Sequence, residues 1–303
     1  MKKRLILFLL LFVFCSLQHA SAAPPAFELK SGDRIIFLGN TLIERAQKFG
    51  NWESVFLRSF PEAKLSFRNL GWSADTVWAD SRGIFDPPAA GYQRMLTQIK
   101  DLKPNAILLG YGGNEAFAGK QGLAAFQKQL HQLLADLQPT GAKIIIVSPH
   151  RFENQGAPMP DPAAHNRDLQ HYCDLLQETA AQGNHYYVDL YNQLIPEPAG
   201  KPHLKLTTNS IHLTEAGYQK AADVIATDLG LHPVKLSPSV EQEVRQLTFD
   251  KNREYFYSWR PQNITYLLGF RKHEQGQNAK ELPQFIPLIE EKEATIHRLI
   301  STQ

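Results

Sequence analysis

Short apolar runs alternate with longer amphipathic stretches along most of the chain. The first run, Arg34-Ile35-Ile36-Phe37-Leu38, ends in Gly39-Asn40 and reads as a buried strand followed by a turn. An apolar-periodic helix is predicted over Leu42 to Phe60, and the same unit then repeats. Strand Leu65 to Leu70 leads to helix Ala89 to Leu102, strand Ala106 to Gly110 to helix Gly122 to Leu137, and strand Lys143 to Ser148 to helix Ala163 to Ala181. Strand His185 to Leu190 and a helix from Thr214 to Leu229, with Thr214 as its N-cap, complete the series. Strands that alternate with helices imply right-handed crossovers and a sheet covered on both faces. The expected fold class is therefore α/β, a three-layer α/β/α sandwich around a mostly parallel sheet of about five strands.

Both ends depart from this pattern. Lys2, Lys3 and Arg4 lead into the apolar run Leu5 to Leu17 and then Ala20-Ser21-Ala22, the layout of a secretory signal peptide over residues 1–22. The run is too short for a spanning helix, which needs roughly 20 apolar residues. The expectation is an exported protein, periplasmic or extracellular, with no stable membrane insertion after cleavage. Past Gly230, Pro233 and Pro238 break the chain, and a helix-like stretch from Ser239 to Trp259 has no strand before it. A polar and aromatic run from Tyr255 to Asn278 and a charged helix from Ile286 to Leu299 follow. The predicted organisation is a main domain over residues 23–232 and a helical extension over residues 233–303, either a clamp on the core or a lid over a site.

At 43% hydrophobic and 20% charged residues, the 303-residue chain has the composition of an ordinary folded protein. Its formal net charge of +2 becomes −1 once the three cations of the leader are removed. Without a basic surplus or a Lys/Arg run, nucleic-acid binding is not expected. Cys173 is the one cysteine beyond the leader, so no internal disulfide is available. No G-x-G-x-x-G opens the first crossover, and neither a P-loop nor an H-E-x-x-H or paired-cysteine pattern occurs, so neither cofactor nor metal is expected. His150, His165, His171 and His185 are scattered and read as surface or satisfied polar residues. Nothing in the sequence sets an oligomeric state.

In an open parallel sheet, ligands bind beyond the carboxyl ends of the strands. The unusual residues fall there. Gly39-Asn40-Thr41 follows the first strand, Asn69-Leu70-Gly71-Trp72-Ser73 the second and Gly112-Gly113-Asn114-Glu115 the third, while Asn209-Ser210-Ile211-His212 precedes the last core helix. Acyl transfer needs a hydroxyl nucleophile, a base and donors aimed at a developing oxyanion. Thr41 supplies a hydroxyl, His212 an imidazole, and the Gly71 N–H and Asn114 amide supply donors.

The order and spacing of these blocks over residues 33 to 230 resemble the SGNH, or GDSL-like, hydrolases. That family places Gly-Asp-Ser after the first strand, a glycine after the second, Gly-x-Asn-Asp after the third and Asp-x-x-His near the end. The resemblance implies a flavodoxin-like SGNH fold and an exported ester hydrolase, with acylated carbohydrate as the expected substrate and a small-molecule or carbohydrate ester as its only implied partner. It puts Thr41 where the family has its serine nucleophile, His212 at the base, Gly71 and Asn114 at the oxyanion donors, and Asn40 at the aspartate of Gly-Asp-Ser. Asn209 stands where the family has the aspartate that orients the histidine. Ser73 is a rival hydroxyl or a substrate contact, and Trp259, Tyr255 and Tyr266 of the extension can stack on sugars.

Two departures bear on mechanism. The extra methyl of threonine restricts χ1 while keeping the hydroxyl. Asparagine at 209 removes a charge, and the matching change in serine proteases lowers kcat by about 10⁴, or roughly 5 to 6 kcal/mol of barrier. Asp75, Asp189, Glu115 and Glu274 are the carboxylates that can replace it. If none does, the alternative is a non-catalytic module that binds glycan or ester ligands.

Overall fold

The computed structural model describes residues 26–195 and 204–302; the predicted leader lies outside them. The core runs β1 (Arg34–Gly39), α1 (Thr41–Ala46), α2 (Asn51–Ser59), β2 (Ser66–Asn69), α3 (Pro88–Leu102), β3 (Ala106–Gly110), α4 (Leu123–Leu137), β4 (Lys143–Val147), α5 (Ala163–Gln182), β5 (Tyr186–Val188), α6 (Leu190–Gln193) and α7 (Glu215–Asp228). All strand pairs are parallel, in the order β2-β1-β3-β4-β5. The expected α/β sandwich is thus present, with helices on both faces.

Why the strands read as continuous apolar runs is visible in how their side chains divide. Ile35 and Phe37 of β1, Leu108 of β3, and Ile145 and Val147 of β4 enter one core, with α2 and α7. Ile36 and Leu38, Ile107 and Leu109, and Ile144 and Ile146 enter the other, with α3, α4 and α5. Alternate residues of a strand point to opposite faces, and here both faces are dry. Each such side chain contributes roughly 1.5 to 3 kcal/mol when fully buried.

One predicted helix is two. Leu42 to Phe60 breaks at Gly50, whose φ of 69° is left-handed and caps the start of α2. Periodicity carries straight through such a break, because α1 and α2 both bury apolar residues against the same core.

The extension is helical: α8 (Pro238–Trp259), α9 (Ile264–Leu267), α10 (Lys272–Gln275) and α11 (Phe285–Ser301). α8 and α11 pack together beside the edge strand β2. Val244, Ile296 and Ile300 join one core, and Tyr255 and Ile289 the other. Charges are tied in as well. Lys251 is paired with Glu53 of α2 at 2.6 Å, with both side chains almost fully buried, and Arg68 of β2 pairs with Glu293 of α11 at 2.5 Å. The arrangement covers a sheet edge that would otherwise stand open.

Candidate active site

β1 and β3 lie side by side, with Gly39 opposite Gly110. Because β2 lies on the far side of β1, the chain leaves β1 and β3 toward opposite faces, and a crevice opens above their carboxyl ends. Asn40 turns the chain into α1: its Oδ1 accepts the Leu42 N–H at 3.0 Å, an N-cap. Thr41 is thereby fixed at the first position of α1, with its hydroxyl at the mouth of the crevice.

The loop after β2 meets that hydroxyl through Ala74. The Ala74 N–H donates to Thr41 Oγ1 at 2.9 Å, and Ala74 holds a left-handed φ of 60°. The Gly71 N–H, an expected oxyanion donor, is engaged within its own loop. Its N–H donates to Asn69 Oδ1 at 2.8 Å, and a Cβ there would lie 2.2 Å from the Glu44 backbone nitrogen. Gly71 lets the loop lie against α1, and the N–H that meets Thr41 belongs to Ala74, three residues later. Ser73 is likewise turned away, its N–H and hydroxyl both donating to Glu44 at 2.6 and 2.7 Å.

Asn114 donates one amide hydrogen to the Asp75 carbonyl at 2.7 Å; its second is left for a ligand. Two buried carboxylates hold this floor in place. Glu115 accepts the Val77 and Gly112 N–H groups at 2.7 Å each, and burial pushes its carboxyl up to about 7. Asp75 accepts Arg82 Nε at 2.6 Å and the Tyr111 hydroxyl at 3.1 Å; its pKa is also raised, by burial, against the opposing pull of Arg82.

His212 completes the ring. With Asn40, Thr41, Arg45, Ala74, Asn114 and His150 it lines one cavity of about 200 Å³. A hydroxyl, an imidazole and two convergent N–H donors thus face a single space, the set that acyl transfer requires.

Residues 32–220 match the GDSL-like Lipase/Acylhydrolase family. The chain belongs to that family. An acetylxylan esterase from Geobacillus stearothermophilus, Axe2, shares its fold with a TM-score of 0.52 and 19% identity, covering 70% of this chain and 100% of its own. A putative GDSL-like lipase from Parabacteroides merdae gives a TM-score of 0.54 at 14% identity, covering 69% and 100%. No curated protein matches the sequence significantly.

Against the family pattern, the surroundings of His212 are unusual. Asn209 Oδ1 accepts the His212 backbone N–H at 2.9 Å and does not reach the ring. None of the four candidate carboxylates does so either: Asp75 and Glu115 are engaged as above, Asp189 accepts from Asn192 at the start of α6, and Glu274 pairs with Arg271. The charges that act on the ring are cationic. Burial first, and then Arg45 and Lys48, hold His212 below its ordinary pKa.

Trp259 lines a second cavity of about 290 Å³, with Trp72, Phe85 and Phe270, that shares no lining residue with the first. Tyr266 lines neither cavity; its ring lies under Arg271. The extension reaches the family site indirectly, through Arg260, which pairs with Glu44 at 2.8 Å and stacks 3.6 Å over Trp72. Among the described residues, no group of three His, Cys, Asp or Glu is placed to hold a metal ion, and no helix is long and apolar enough to cross a membrane.

Three lining residues escaped the sequence reading. Ala74 carries no motif signal, because the donor is a backbone group. Arg45 was one charge among several on a helix, and His150, buried with Nδ1 on the Arg151 carbonyl at 2.8 Å, reads from sequence as a satisfied polar residue, which it is.

Proposed function

We propose that this protein is an exported esterase that removes short acyl groups from carbohydrate, with Thr41 as nucleophile and His212 as base. The observation that carries the reading is the contact between the Thr41 hydroxyl and the Ala74 N–H in the cavity that His212 and Asn114 also line. Thr41 Oγ1 attacks the acyl carbonyl while its proton passes to His212. The Ala74 N–H and the second amide hydrogen of Asn114 hold the oxyanion. Collapse expels the sugar alcohol, which takes the proton from His212, and water then cleaves the threonyl ester by the same steps in reverse. The Thr41 and His212 side chains share the cavity without a hydrogen bond between them, and such contacts commonly form only with substrate bound. The leader-like residues 1–22 support export. Acetylated glycan is favoured by the substrate named for Axe2.

The test is hydrolysis of p-nitrophenyl acetate and acetylated xylo-oligosaccharides by the mature protein. Turnover that falls to background in both Thr41→Ala and His212→Ala supports the reading; wild-type rates equal to those variants overturn it. A second reading, a module that binds esters without cleaving them, rests on the missing carboxylate at His212. Activity that appears only in Thr41→Ser with Asn209→Asp would favour it.

A further inference from the structure

Among the described residues lining the Thr41 cavity there is no aspartate or glutamate, and one side chain bears a permanent charge, Arg45. The acidic groups nearby are engaged elsewhere, Glu153 next to His150 by Thr207. Glu44, beside Arg45 on α1, is taken by Ser73 and Arg260, and Asp75 and Glu115 lie beneath the loop with Arg82 and backbone N–H groups. Arg45 itself has no ion pair among the described residues, and its Nε is shielded from solvent with no acceptor. Lys48, three residues on and exposed, adds a second cation beside His212.

A guanidinium offers a fixed fork of donors suited to a planar oxyanion, and a partly buried one without a counter-ion is costly unless a ligand supplies it. Burial first, and then the Arg45 and Lys48 charges, lower the His212 pKa in a site where a carboxylate would have raised it. We propose that the ester taken by this site carries a carboxylate on its alcohol part, as an acylated acidic sugar does, and that Arg45 is the residue that recognises it. Within the lining one planar guanidinium faces the space, with Lys48 outside it, and that fork matches a planar carboxylate. This inference rests on the esterase reading of the cavity and names its substrate class.

The experiment compares two matched acetate esters, 4-acetoxybenzoate and the neutral 4-acetoxybenzamide, on the full mature chain near pH 8, where the base is neutral. The quantity read is the ratio of their kcat/KM values in wild type, Arg45→Gln and Arg45→Lys. The expected result is a preference for the carboxylate of about 10- to 100-fold in wild type, the size of a charge-assisted pair. It should collapse toward one in Arg45→Gln, stay intermediate in Arg45→Lys, and narrow as salt is raised. A ratio equal in wild type and Arg45→Gln overturns the assignment, even if both esters are cleaved well. If neither ester is cleaved, the esterase reading fails separately, and calorimetric titration with 4-acetoxybenzoate decides the charge question. Binding that is lost in Arg45→Gln and absent for the amide supports the proposal; equal or undetectable binding of both overturns it.

Discussion

Thr41 Oγ1 and the backbone N–H of Ala74 are 2.9 Å apart, and the contact exists because Ala74 takes a left-handed φ of 60°. A non-glycine residue in that region is held there against its preference, at a cost of order 1 to 2 kcal/mol. Ala74→Gly should therefore raise stability by about 1 kcal/mol and keep activity, since the N–H is retained. Ala74→Val should do the reverse, because a β-branched residue fits that region worst, and turnover should fall along with the unfolding midpoint. Urea unfolding and p-nitrophenyl acetate assays check both; equal midpoints in the two variants would show that the loop is not strained.

Gly71 makes the complementary case. Its missing Cβ is what lets the loop touch α1, with the Glu44 backbone 2.2 Å from where that atom would be. Backbone on both sides cannot yield as a flexible side chain can. Gly71→Ala should push α1 and the Ala74 loop apart, lowering stability by about 2 kcal/mol or more and cutting kcat more than it raises KM. Steady-state kinetics on the folded fraction check this: an unchanged kcat would mean that the Ala74 loop does not move when the Gly71 contact is opened.

Much of this was legible in the chain. The strands stood out because both faces of each are buried, so every position from Ile35 to Leu38 is apolar; the loops stood out because Thr41, Asn114 and His212 follow strands or precede a helix at family spacing. What escaped detection has physical reasons. A backbone N–H has no letter of its own, so the contact of the Ala74 N–H with Thr41 could not be read from the sequence. The break at Gly50 leaves the hydrophobic period intact. The partners of Asn209 depend on whether its side chain meets a backbone N–H or a ring nitrogen three residues on, a difference of rotamer rather than sequence. Trp259 was singled out as a sugar-stacking residue, but with α8 packed against β2 it lines the second cavity, which shares no lining residue with the first.

The extension is fastened by a buried charge. Lys251 donates to Glu53 Oε2 and Asn252 to Glu53 Oε1, each at 2.6 Å. Removing one member of such a group strands the other, at about 3 to 5 kcal/mol. Lys251→Met should accordingly destabilise the protein by that amount, and Lys251→Met with Glu53→Met should recover most of it, because two apolar side chains leave no charge behind. Denaturant unfolding gives both values. A double variant as unstable as the single one would mean that shape, and not charge, is what holds α8 against α2.

The pH profile tests the electrostatics of the base directly. His212 must be neutral to accept the Thr41 proton, so kcat/KM should rise with pH through the His212 pKa and then level. Burial, Arg45 and Lys48 all disfavour the imidazolium, which places that rise below the ordinary histidine value of about 6.5. Arg45→Gln removes one of the three effects, favours protonation and should move the rise to higher pH. Asn209→Asp adds a negative charge beside the imidazolium and should move it in the same direction. His150, the other imidazole on the cavity, is likewise held low, by burial first, so a His150→Gln variant assigns the rise to His212. Profiles with a neutral ester keep substrate ionisation out of the comparison. A wild-type rise above 6.5 would mean that a negative charge has reached the ring after all, and a rise that ignores Arg45→Gln would mean that the arginine acts on the substrate alone.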